Sequence, residues 1–84
     1  MNIVEEVKKV IEPVITENGF RVDEVEYVLE GNTNFLRIII DKDGFVDLDD
    51  CVKVFRLIDP ILDEVDLIEE SYILDVCSKE KGSI

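Results

Sequence analysis

L-R-I-I-I-D-K-D-G-F-V-D-L-D-D-C, residues Leu36 to Cys51, holds a strand, a glycine turn and a helix start in one run. Ile38, Ile39 and Ile40 form a β-branched stretch too short for a helix, and Asp41-Lys42-Asp43-Gly44 breaks it. Asp47 is placed to cap the next helix, its carboxylate reaching backbone N–H groups two or three residues on. Asp49 and Asp50 follow in the first turn, where the helix dipole favours negative charge. The stretch fixes the register of everything around it.

Working back from it, the period of two across Phe20 to Glu30 predicts a strand. Val25, Tyr27 and Leu29 alternate there with Glu26, Val28 and Glu30. Gly31-Asn32-Thr33-Asn34 is turn chemistry, so this strand and a second from Phe35 to Asp41 make an antiparallel hairpin. The second strand is apolar on both faces through its Ile run and is the expected central strand. Earlier still, Ile3, Val4, Val7, Val10, Ile11, Val14 and Ile15 recur at helical spacing over residues 2–18, with Gly19 at the stop position. Pro13 falls inside that helix, and a bend or break is expected there.

Working forward, a second helix spans about Leu48 to Leu62, its expected buried face being Leu48, Cys51, Val52, Phe55, Ile58 and Leu62. Pro60 leaves its last turn open. Asp63 to Glu70 reads as an acidic connector with five acids, Asp63, Glu64, Asp66, Glu69 and Glu70. Tyr72 to Ser78 reads as a third strand, and Lys79 to Ile84 as a flexible end. The fold class is therefore α/β two-layer (α+β), in the order α-β-β-α-β, with two helices packed on one face of a three-stranded sheet. A right-handed crossover would set the third strand parallel to the second, with room for a missing strand between them.

At 84 residues this is one domain, and its 46% hydrophobic content is enough for a core. No apolar run suits a membrane span, and acid near the N-terminus is unlike a signal peptide, so a cytoplasmic location is expected. Acids outnumber bases 21 to 9, for a net charge of −12. Such a surface repels phosphate backbones, which disfavours direct RNA binding and suits a basic protein partner.

Catalytic chemistry lacks its residues. There is no His, so the commonest general base near neutral pH is missing. Cys51 and Cys77 have neither a CxxC spacing nor a His partner and read as buried core thiols. The phosphate-cradling glycine motifs are absent. A calcium loop centred on Gly44 would use Asp41, Asp43, Asp47 and Asp50, but its first position falls on Ile39 and its last on Asp rather than Glu. A turn followed by a helix cap explains the same acids, and an acidic metal-binding module on those four residues is the alternative.

The sequence resembles the N-terminal domain of the bacterial ribosome maturation factor RimP family. The resemblance rests on V-I-E-P-V-I (Val10 to Ile15), Gly19-Phe20, V-E-Y-V-L-E-G (Val25 to Gly31), the Leu36 to Cys51 run and Y-I-L-D-V-C-S (Tyr72 to Ser78). It implies a RimP-like domain over residues 1–78 and a non-enzymatic factor aiding maturation of the small ribosomal subunit, with ribosomal protein and rRNA as contacts. It also implies a following SH3-like β-barrel after S-P-G-L-D-R-P-L. Here K-E-K-G-S-I (Lys79 to Ile84) stands in that place, as in a truncated chain or a stand-alone relative.

The leading expectation is docking on the immature small ribosomal subunit, through a basic ribosomal protein. The candidate surface is Asp47, Asp49, Asp50, Asp63, Glu64, Asp66, Glu69 and Glu70. A generic protein-interaction module and a bare structural domain are the remaining readings, and no cofactor is expected.

Overall fold

The run from Leu36 to Cys51 folds as its residues dictate. In the computed structural model, which describes residues 2–79, the Ile run closes a strand, Gly44 turns with φ +90, and Asp47 starts a helix. The elements are α1 (Ile3–Glu17), β1 (Arg21–Glu30), β2 (Thr33–Asp41), α2 (Leu48–Val65) and β3 (Tyr72–Ser78). The expected order α-β-β-α-β is the observed one. The expected flexible end falls largely on residues 80–84, outside the described residues.

β2 is central, paired antiparallel with β1 and parallel with β3. No strand lies between β2 and β3. The register sets two faces. Leu36, Ile38 and Ile40 line up with Tyr27, Val25 and Val22 on one side and with Leu74, Val76 and Ser78 on the other. These three β2 residues are fully buried and share one core with Val7, Ile11 and Ile15 of α1 and Val54, Ile58 and Leu62 of α2. Both helices therefore cover the same sheet face. On the opposite face Arg37 stands between Glu26 and Asp75, donating to Asp75 at 3.1 Å with Glu30 at 3.8 Å.

The hairpin is tighter than the turn residues suggested. Thr33 and Asn34 belong to β2, and Glu30 pairs with Thr33, leaving a two-residue loop, Gly31-Asn32. Gly31 takes φ +63 while Asn32 does not turn positive, as a II′ hairpin loop requires. Leu29 shares the covered face but is 67% exposed at the hairpin end, beyond the helices.

α1 ends in a full Schellman arrangement. Gly19 N–H donates to the Thr16 carbonyl and Phe20 N–H to the Ile15 carbonyl, with Gly19 at φ +87. Neither Pro13 nor Pro60 breaks its helix. Each proline deprives the carbonyl four residues back of its partner, Lys9 and Arg56 respectively. All four residues lie on exposed faces, where water can satisfy those carbonyls.

α2 departs further from the sequence expectation. It runs on to Val65, so Asp63 and Glu64 are its last turn rather than connector. Its buried stripe is Cys51, Val54, Ile58 and Leu62, whereas Leu48 and Val52 are 56% and 41% exposed. Two apolar stripes overlap in this helix. The one that continues through all its turns is buried, and of the shorter one Leu48 and Val52 are left at the surface while Phe55 packs against the edge of the core.

Candidate functional site

The acids proposed from sequence fall into two groups at opposite ends of α2, a helix about 27 Å long. The first group is absorbed by local structure. Asp47 Oδ1 accepts from Asp50 N–H at 2.9 Å, and Asp50 Oδ2 accepts from Asp47 N–H at 3.1 Å. This is a reciprocal capping box with Asp in place of the usual Glu. Lys42 Nζ lies 2.7 Å from Asp50 Oδ2. That ammonium first, then the Asp47 N–H, hold the Asp50 carboxyl below its ordinary range. Asp49 is exposed beside them.

Asp41 and Asp43, the other members of the conceivable calcium set, are both held by Arg21 at 3.1 Å. The guanidinium draws the Asp41 carboxyl below its usual range. Among the described residues no group of three or more His, Cys, Asp or Glu side chains is placed to hold a metal ion. The metal-binding alternative therefore loses its geometry, because each carboxylate has been turned to a nearer donor.

The second group gathers. Asp63, Asp66, Glu69 and Glu70, joined by Asp59, line a cleft of about 450 Å³ between the C-terminal half of α2 and the start of β3. Glu64, on the same turn, does not line it. Asp66 caps α2 in the left-handed region at φ 48, its N–H donating to the Leu62 carbonyl. Glu70 accepts from the Tyr27 hydroxyl at 3.1 Å. Tyr72 registers the local charge: burial first, then Asp63, Asp59 and Asp66, push its phenol above the ordinary value.

These acids sit at the wrong end of a helix. The carbonyl terminus of a helix favours cations by about 0.3–1 kcal/mol each, yet the last turn of α2 carries Asp63 and Glu64 and no basic residue. Charge placed against the dipole weakens the end of the helix.

A neighbouring groove of about 350 Å³ is lined by Leu48, Cys51, Val52, Phe55, Arg56, Leu74, Asp75 and Val76. It shares Phe55 and Leu74 with the acidic cleft. Sequence reasoning assigned Leu48 and Val52 to the core and so missed this apolar half, which Phe55 also lines from the edge of the core. The signal was present in the surplus of apolar positions on α2, more than one buried stripe can use.

Both thiols are buried, as expected of core residues, and form no disulfide. Cys77 lies with its Sγ 3.9 Å from the Ile38 carbonyl, and burial pushes its pKa up to about 11. Burial likewise raises that of Cys51. Neither is an activated nucleophile. Among the described residues no helix is long and apolar enough to cross a membrane.

The chain is thus a two-layer α+β domain with buried thiols and a surface groove beside α2. Comparison with known families specifies its kind. The RimP N-terminal domain family matches residues 10–79, and this chain belongs to that family. The family is that of a ribosome maturation factor, not known as an enzyme, with ribosome-related partners. A role in ribosome maturation follows.

Proposed function

We propose that the domain over residues 1–78 is a non-enzymatic assembly module, working in the cytoplasm by docking on the immature small ribosomal subunit. The observation that carries this reading is the family match over residues 10–79. The partner is a basic ribosomal protein rather than rRNA. A net charge of −12 repels phosphate, whereas a basic protein is steered towards the acids. Of the acids named from sequence, Asp63, Asp66, Glu69 and Glu70 share a cleft and are the better docking candidates. Asp47 and Asp50 are occupied by the capping box and Lys42.

Co-sedimentation with immature small subunits tests this reading. Binding is expected at low salt and should weaken as salt screens the charges. Failure to co-sediment at low salt, with a barrel-bearing relative as positive control, would show that this domain alone is not the docking unit.

A further inference from the structure

We propose that the two adjoining depressions between α2 and β3, which share Phe55 and Leu74, together bind an extended protein segment that carries large apolar side chains at one end and Lys or Arg at the other. The proposal rests on the reading of a basic protein partner and adds where, and in what form, that partner is held.

The groove has two chemically distinct halves joined at Phe55 and Leu74. In the first half Leu48 and Val52 are largely exposed, so apolar surface is presented to whatever lies there. Isolated exposed apolar residues are ordinary, but a stripe at helical spacing beside a strand is a patch. The second half is walled by Asp59, Asp63, Asp66, Glu69 and Glu70 with no Lys or Arg among its lining residues. From Leu48 to Asp63 the helix rises about 22 Å, the reach of roughly seven extended residues. An occupant complementary to both halves therefore changes character along its length, from apolar to basic. A second copy of this chain fits poorly, since two bodies each of net charge −12 repel and the acidic half would meet more acid. A purely basic segment would leave the apolar half uncovered.

The test is a titration of the isotopically labelled 84-residue chain with a probe peptide of about seven residues, Leu and Trp in one half and Lys in the other, in both orders. The amide signals of Leu48, Val52, Phe55, Asp63 and Asp66 are expected to shift together. Val52→Asp, at an exposed site, should keep the melting temperature and weaken binding about tenfold or more. Asp63→Lys should weaken it as well, and added salt should reproduce the Asp63→Lys effect. The proposal is overturned if Val52→Asp binds as well as the parent. It is equally overturned if a probe with Ala in place of Leu and Trp binds equally, or if the shifts lie elsewhere. A self-association abolished by Val52→Asp would assign the groove to a second copy instead. The probe contains nothing ribosomal, so peptide binding without co-sedimentation would sink the ribosomal docking and spare the groove. Co-sedimentation unaffected by Val52→Asp would do the reverse.

Discussion

Lys42 reaches across the strand-to-helix corner to Asp50, its Nζ 2.7 Å from Oδ2, while its ammonium stands 5.5 Å from the centre of the Phe20 ring. One side chain thus ties the end of β2 to the first turn of α2. Asp50 is the busier partner, because it also closes the capping box with Asp47. Asp50→Ala should cost about 1–2 kcal/mol by urea denaturation, from a lost cap and a lost ion pair. Lys42→Met should cost less, about 0.5–1 kcal/mol. The double variant should fall short of the sum, because both changes remove the same pair. Strict additivity would show that the contact carries no energy.

The same corner makes the fold acid-sensitive. Asp41, through Arg21, and Asp50, through Lys42, both have carboxyl pKa values lowered from an ordinary 3.8. Depressed folded values mean that the unfolded chain binds protons more readily. Their stabilisation is then complete above the ordinary value and is lost as pH falls through the lower folded values. Urea midpoints should hold level from neutral pH down to about 5 and drop below about 4. Arg21→Gln and Lys42→Met should each flatten that drop. An acid limb unchanged in both variants would sink this assignment.

At the alkaline end the sign reverses. Cys77 has its pKa raised from 9.0 to about 11 by burial, so the folded state holds the proton longer than the unfolded one. Its contribution is full below pH 9 and is lost as pH rises through 11, at most about 3 kcal/mol. Tyr27 and Tyr72, also raised by burial, act in the same direction. Cys77→Ala should therefore lessen the alkaline slope without removing it, read as unfolding free energy between pH 8 and 11.

The two stripes of α2 make opposite predictions for neighbouring valines. Val54 is fully buried and Val52 is 41% exposed. Val54→Ala should cost about 2 kcal/mol, from lost burial and the cavity left behind. Val52→Ala should stay within about 0.5 kcal/mol. Comparable losses at both positions would mean that Val52 is packed after all.

That pair also marks where the sequence stopped being legible. β3 was readable to the residue, as was the start of α2, because alternation and the Asp47 cap are local signals that burial then reinforced. The hairpin was misjudged at Thr33 and Asn34, two residues whose turn chemistry yielded to cross-strand pairing with Glu30 and Leu29. In α2 the period of the apolar residues was clear but its phase was not. Leu48 and Val52 are as apolar as Val54, and only the docking angle of the helix on the sheet decides which of them meet Leu36 and Ile38. The acids posed the same problem in charge. The three-residue spacing of Asp47 and Asp50 announces their cap, but nothing in the linear order says that Asp63 and Glu69 turn to a common cleft.

Asp63 and Glu64 offer the sharpest separation of scaffold from site. They are adjacent in the last turn of α2, both set against the helix dipole, yet only Asp63 lines the cleft. Replacing either with Lys should relieve the dipole and raise stability by about 0.5 kcal/mol, seen as a small rise in melting temperature. Their effects on partner binding should diverge. Glu64→Lys should leave the salt-sensitive part of binding close to the parent, less a small general loss from reduced net charge. Asp63→Lys should weaken binding by well over that general loss, since it places a cation where the partner's own Lys or Arg would sit. If the two variants lose affinity equally, the acids act only through overall charge and the cleft has no special part in recognition. If Asp63→Lys alone is impaired while both gain stability, the destabilising acid at the end of α2 is there for the partner.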